Sequence, residues 1–489
     1  MPRVPFLGRL SIREYTALIL SLLFVIVEAL VRYPTLLLPK PVLNWFHDRS
    51  RELFHAFVPP SRRLSSRSKS REGREGEDER KTAERIRMTG SFEGLCKIWG
   101  YEAETHIVQT KDGYLLGLHR LPFKRSEPRT SASPISPSHA PSKKPIVYLH
   151  HGLLMNSEVW VCVTDPSRCI PFILVELGYD VWLGNNRGNK YSKKAIHATP
   201  NTTRFWDFSM DEMCMHDIPD SIAYILSTTG RDTIDAYIGF SQGSAQGFAA
   251  LSVHPSLNRK ISRMIALAPA LSPPGLAQPI VDSLMKASPT LVFLFFGRKA
   301  ILGSAVMWQS ILYNPIFNAV IDGGLKFLFN WRGANIDALQ KVAAYSHLYS
   351  FTSVKAVVHW FQIMRRGSFQ MYDDDISSAL YSKSFYSPAP FPTKNIVTPI
   401  TLIYGSSDSL VDIDVMLAQL PGHGRTSVVR VEGHEHVDII WGRDVATKVI
   451  PEVVKAVKRD IKSVGEDNGV SNGGDDMDRT TTMSRTDSD

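Results

Sequence analysis

The chain has 489 residues, 43% hydrophobic and 21% charged, enough apolar material for one large α/β domain with an insertion. Glycine and proline are used at ordinary levels, which excludes a fibrous protein. Four cysteines with no CxxC pair leave no disulfide framework and argue against a zinc module. The net charge of +8 conceals a more basic body, because residues 463–489 hold seven acidic and only two basic residues.

In chain order, residues 15–31 (YTALILSLLFVIVEALV) form the first apolar stretch. As a helix it would span roughly 25 Å, slightly less than the hydrocarbon core of a bilayer. A second patch, residues 35–46, follows Arg32-Tyr33-Pro34. Both flanks are basic (Arg3, Arg9 and Arg13 before; Lys40, Arg49 and Arg51 after), so charge assigns no inside and outside. Residues 1–60 are therefore expected to be an N-terminal membrane anchor, either a hairpin in one leaflet or a single span. Residues 61–90 are dense in charge and serine and read as a disordered linker. RNA binding by its Arg/Ser run is disfavoured by the lack of nearby aromatic residues for base stacking. The cysteine usage suits a reducing, cytosol-facing location for the body of the chain.

From 91 to 271 strands and helices alternate as a mostly parallel sheet requires, interrupted by a polar loop at 124–145. THIVQT and YLLGLHRL flank a Lys111-Asp112-Gly113 turn, and PIVYLHHG, YDVWLGN, DAYIGF and ISRMIALAP read as further strands. Between 272 and 395 the rhythm stops, and helical, aromatic-rich sequence predicts an inserted cap or lid. The run Thr290–Phe296 within it is either a buried helix or an apolar wall for lipid. The core resumes over 396–462 with TPITLIYG, TSVVRVEG and a helix over 443–461. An acidic disordered tail, 463–489, ends the chain.

Gly239-Phe240-Ser241-Gln242-Gly243 fits the G-x-S-x-G nucleophile elbow, with a strand before it and a small-residue helix after it. A serine hydroxyl needs an imidazole to take its proton, and the imidazole needs a carboxylate to fix its tautomer. On such folds the order is serine, acid, histidine, each after a late strand. Asp408 follows TPITLIYG, with Asp412 and Asp414 as more distant rivals. Two histidines, His434 and His436, follow TSVVRVEG, and their spacing leaves the choice open. The oxyanion needs two backbone N–H donors, expected from Gln242 and from Leu153 in the loop after PIVYLHHG. His150 and His151 in that loop lack acidic or thiol partners at ligand spacing, so neither a metal nor another cofactor is expected.

YLHHGLLMNSEVW, GYDVWLGNNRGNKYS, FWDFSMDEM, IALAPA and EHVDIIWG resemble the acid lipase family of gastric and lysosomal lipases. PFLGRLSI, GFSQGSAQ, FFGRKAILGSAVMWQ and YGSSDSLVDIDV more closely resemble the fungal sterol esterases of lipid droplets. The resemblance implies an α/β-hydrolase core with a helical cap, acting on steryl esters at a lipid-droplet or endoplasmic-reticulum-derived membrane, with no nucleic acid partner. It also implies Ser241 as nucleophile, Asp408 as acid, His436 as base, and Leu153 and Gln242 as oxyanion donors. Phe240 departs from the histidine usual before the nucleophile of secreted members, and Val437 from the leucine usual after the base. The apolar segment replaces a cleavable signal, so an acid optimum is not implied. Triacylglycerol hydrolysis and an inactive droplet scaffold are the competing readings.

Overall fold

The computed structural model describes residues 74–126, 144–279, 312–374, 387–422 and 424–458, with isolated positions in 19–52 and 282–301. Most of the expected anchor, the 124–145 loop beyond its ends and the acidic tail lie outside the described residues. Among the described residues, no helix is long and apolar enough to cross a membrane.

Among the described residues, nine strands form one sheet: β1 (Glu104–Gln109), β2 (Tyr114–Leu121), β3 (Ile146–His150), β4 (Asp180–Leu183), β5 (Lys194–Ala195), β6 (Ala236–Phe240), β7 (Met264–Leu267), β8 (Ile400–Gly405) and β9 (Thr426–Val431). Their order is β1-β2-β4-β3-β6-β7-β8-β9, with β5 paired to β2. The β1–β2 hairpin is antiparallel and β2 is antiparallel to β4, while every pair from β4 to β9 is parallel. The burial patterns follow from position. β3 and β6 are covered on both faces and buried throughout, so they read as unbroken apolar runs. β1, at the sheet edge, alternates.

Alternate residues of each central strand feed two apolar layers. Val147, Leu149, Ile238, Phe240, Ile265 and Leu267 point to one, and Tyr148, Trp182, Tyr237, Met264 and Ala266 to the other. All four cysteines are free and buried, Cys96, Cys162 and Cys169 in the first layer and Cys214 in the second. The chain runs from β3 to β4 on one side and returns to place β6 on the other. This reversal opens a crevice at the carboxyl ends of β3 and β6, where ligands of such sheets bind.

The reading of residues 61–90 as a disordered linker is corrected over 74–88, which form a helix, Arg74–Met88. Its charges sit on the outer face, with Lys81 and Glu77 paired at i,i+4, while Ala83 and Ile86 are fully buried at i,i+3 spacing. Two apolar positions among so many charges are a weak signal. They become a core face because the helix Ala338–Leu348 of the inserted segment lies against them, and His347 Nε2–H donates to the Ile86 carbonyl at 2.9 Å. The helix expected over 443–461 is also corrected. Val445–Lys448 and Ile450–Lys458 are separate, the second beginning at Ile450-Pro451 where proline lacks the N–H to continue a ladder.

Between β7 and β8 the inserted segment contributes the helices Asn314–Phe329, Ala338–Leu348 and Val354–Arg366. The last has Ser353 as N-cap, accepting from Ala356 N–H, and Gly367 as a left-handed C-cap. At the start of the first, Asn314–Phe329, Ser50 Oγ accepts a hydrogen bond from Tyr313 N–H at 3.0 Å, so residue 50 touches this insertion.

Candidate active site

The site grows from the turn after β6. Ser241 has φ 53° and ψ −120°, a conformation costly for a residue with a side chain, and its N–H still extends the sheet by donating to Leu267 O at 3.0 Å. The chain then enters the helix Gln242–Val253 at once. Both elbow glycines are needed for space. A Cβ on Gly239 would lie 2.5 Å from Ser244 N, and one on Gly243 would lie 2.4 Å from His150 O. The strained turn thus lifts Ser241 above the sheet while keeping β3 and the helix in contact.

Asp408 follows β8 and His436 follows β9, and the structure brings both to Ser241. Ser241 Oγ–H donates to His436 Nε2 at 2.8 Å, and His436 Nδ1–H donates to Asp408 Oδ2 at 2.7 Å. The second carboxylate oxygen of Asp408 accepts from Leu410 N–H at 3.0 Å, which fixes its plane. All three residues are buried. His434 turns away, with Nε2 3.0 Å from Asp444, while its carbonyl accepts from Ser407 N–H and braces the Asp408 loop. Asp412 caps the helix Ile413–Gln419 by accepting from Val415 N–H, and Asp414 is exposed on that helix. Neither rival carboxylate belongs to the serine–imidazole chain.

Gln242 is the first residue of its helix, so its N–H has no intrahelical acceptor and is available to a ligand. Leu153 lies just beyond β3, where Gly152 packs so closely that a Cβ there would lie 3.1 Å from Ser241 Cβ. The two N–H groups expected to hold an oxyanion therefore belong to elements that converge on Ser241.

Sequence reasoning anticipated an apolar wall at Thr290–Phe296 but missed two tryptophans of the insertion. Trp331 stacks on the His436 imidazole with centroids 4.9 Å apart and planes 4° from parallel, and Phe240 tilts against the same ring. The segment bearing Trp331 is pinned by Glu435, whose carboxylate accepts from Arg332 N–H and Gly333 N–H, and by Ser409 Oγ–H donating to Phe329 O. Trp360 Nε1–H donates to Gln242 Oε1 at 2.7 Å. Beside Leu153 and Leu154, the insertion supplies an apolar cluster including Val292, Phe293, Phe296, Val357 and Phe361. Asp438, two residues after the imidazole, accepts from Glu435 N–H, and burial pushes its carboxyl up to about 7. Among the described residues, no group of His, Cys, Asp or Glu is arranged to hold a metal ion.

Fold and site together define a hydrolase of carboxylic esters, with a serine at a strand-to-helix elbow. Residues 145–443 match the family described as alpha/beta hydrolase fold, and residues 92–164 match a partial alpha/beta-hydrolase lipase region. The chain belongs to the alpha/beta hydrolase fold family and is a lipase or esterase of that type. It is 47% identical over 458 residues to a protein named a probable lipase in Schizosaccharomyces pombe, covering 94% of both chains. It is 34% identical over 378 residues to the rat lysosomal acid lipase/cholesteryl ester hydrolase, covering 74% of this chain and 89% of the relative. Against rat gastric triacylglycerol lipase the identity is 30% over 373 residues, covering 75% and 91%.

Proposed function

We propose that this chain hydrolyses steryl esters to free sterol and fatty acid, with Ser241 as nucleophile, His436 as general base and acid, and Asp408 as the orienting carboxylate. One observation carries the reading: the unbroken hydrogen-bonded chain from Ser241 Oγ through His436 to Asp408, at 2.8 and 2.7 Å. Ser241 Oγ attacks the ester carbonyl carbon while its proton passes to His436 Nε2. The negative oxygen that forms is held by Leu153 N–H and Gln242 N–H. Collapse of the tetrahedral adduct expels the sterol alkoxide, which takes the proton from His436 and leaves an acyl-serine. Water then repeats the sequence, with His436 again as base, and releases the fatty acid. Asp408 keeps the Nδ1–H tautomer in place and stabilises the imidazolium during both halves.

The apolar cluster beside Leu153 and Leu154 suits a long acyl chain or a sterol ring system better than a small polar ester. The relative whose name includes cholesteryl ester hydrolase supports a sterol as the alcohol. In the same reading, residues 1–60 hold the enzyme at a lipid-droplet or endoplasmic-reticulum-derived surface, with the body in the cytosol. A fluorescent protein fused to 1–60 should then collect on droplets.

The decisive experiment gives purified wild type and Ser241→Ala equal emulsions of cholesteryl oleate, ergosteryl oleate and triolein. Sterol release by wild type alone is expected, together with labelling of Ser241 by a fluorophosphonate. Diacylglycerol release without sterol would make the enzyme a triacylglycerol lipase. Absence of labelling on folded wild type would remove the serine mechanism altogether.

A further inference from the structure

The end of β3 and the loop that leads from it to the oxyanion position hold two buried histidines, His150 and His151, that the mechanism does not use. His150 is accounted for by the network beneath the sheet end. Its Nε2–H donates to Asn186 Oδ1 at 2.8 Å, and its Nδ1 accepts from Tyr148 O–H at 2.8 Å. The neighbouring ring does something different. His151 Nδ1 lies 2.8 Å from the carbonyl oxygen of Gly152, the next residue in the chain. A carbonyl can only accept, so Nδ1 carries the proton. On the far side of the ring, Nε2 accepts from Asn186 N–H and from Asn189 Nδ2–H, both at 3.1 Å. The ring is therefore a neutral, single tautomer held from both ends.

We propose that His151 is a positioning residue for the reaction, setting the direction of the Leu153 N–H by holding the carbonyl of the same peptide unit. The inference rests on the reading of Leu153 N–H as an oxyanion donor. The Gly152 C=O and the Leu153 N–H belong to one planar trans peptide and point in opposite directions. A bond that fixes the oxygen on the His151 side therefore fixes the N–H on the other side. Gly152 is packed against the nucleophile, since a Cβ on it would lie 3.1 Å from Ser241 Cβ and 3.3 Å from the Phe240 ring. Immediately after Leu153 the backbone turns, because Leu154 has φ 60°, and Leu154 O accepts from Ser350 N–H. The peptide is thus anchored before and after Leu153, and the His151 ring controls the rotation that remains.

The support behind the ring is rigid. Asn189 Nδ2–H also donates to Asn185 Oδ1 at 3.0 Å. Between Asn186 and Asn189 stands Arg187, fully buried, donating through Nε to Asp217 and through both terminal nitrogens to Asp112, with its guanidinium over the Tyr114 ring. Burial first, then the neighbouring His150, push the His151 imidazole down to about 3, so the ring keeps its accepting nitrogen at any pH where the enzyme would work.

The test uses the full chain and four forms: wild type, His151→Asn, His151→Gln and His151→Phe. Asparagine can place an N–H where Nδ1 stands, glutamine where Nε2 stands, and phenylalanine neither. Each form is assayed on a soluble p-nitrophenyl ester. Each is also titrated with a long-chain trifluoromethyl ketone, which adds Ser241 and carries the oxyanion, and with the matching non-electrophilic alcohol. For His151→Phe we expect kcat to fall about 100-fold with KM nearly unchanged, and ketone affinity to fall by a similar factor while alcohol affinity holds. His151→Asn should recover to within about tenfold of wild type, and His151→Gln should not. If His151→Phe does not fold, the asparagine–glutamine difference decides alone. Equal loss of ketone and alcohol affinity, or equal activity of the asparagine and glutamine forms, overturns the inference and leaves the serine mechanism standing. Wild type that neither binds the ketone nor labels with a fluorophosphonate takes down the underlying reading itself.

Discussion

The late strands of the sheet and the inserted segment approach the same imidazole by different means. From the ends of β6, β8 and β9 come Ser241, Asp408 and His436, joined by two directed hydrogen bonds of 2.8 and 2.7 Å. From the insertion comes Trp331, which meets His436 face to face with no directed bond to it, on a segment tied down through Glu435 and Ser409. Directed bonds move protons, whereas a stacked ring excludes water and favours a cation on its face. On the proposed mechanism, the difference teaches that the chemistry belongs to the sheet and its surroundings to the insertion. That division can be attacked by substitution.

The largest effect should come from the sheet. His436→Ala should match Ser241→Ala, with turnover on the purified enzyme down on the order of a millionfold, while His434→Ala keeps most activity. The reverse pattern would exchange the two histidines and break the geometric assignment. Next in size, Asp408→Asn retains the shape but presents the wrong partner to Nδ1–H, so kcat should fall about ten-thousandfold with KM little changed. A loss of only a few-fold would mean that another carboxylate orients the ring. On the insertion side, Trp331→Leu removes a stacked contact of about 0.5–1.5 kcal/mol, so kcat should fall by no more than about tenfold. A thousandfold loss with normal folding would erase the distinction between the two regions.

The smallest effect is on stability. Burial lowers His119, His150 and His359 to about 4 and His151 to about 3, from an ordinary 6.5. Below pH 6.5 the unfolded chain protonates these rings while the folded chain does not, so their contribution drains away as pH falls from 6.5 towards 4. Asp211 and Asp438 act in the opposite direction, since burial raises both to about 7 and the folded form holds their protons. Burial also lowers His254 and raises Asp217, so five rings stand against three carboxyls and predict a melting temperature that declines between pH 6.5 and 4. Calorimetry across that range checks it, and a flat or rising curve would show that the carboxyls prevail.

The same division governs what could be read without coordinates. The strands announce themselves by local runs such as PIVYLHH and TPITLIYG, and the elbow by glycines that the backbone needs two residues either side of Ser241. Strand ends were legible, and with them the residues that follow. The choice between His434 and His436 was not legible from spacing, because it depends on how the loop after β9 turns. Trp331 sits in FNWRGAN, which holds no periodic signal, and its contact with a ring far along the chain is purely tertiary. The helix Arg74–Met88 was misread for the same reason. Its buried face is two residues wide, and the partner that covers it comes from the insertion. His151 was visible as a residue but not as a support, since nothing local shows which atom its ring will reach.

The distribution of thiols has a practical consequence. Burial raises all four well above the range where a cysteine forms thiolate at neutral pH, so alkylating reagents should leave the native fold untouched. Three of them lie on one side of the sheet and Cys214 on the other. The molecule therefore carries its own pair of clocks: peptide-resolved alkylation in mild denaturant times the opening of each side separately, with no residue replaced.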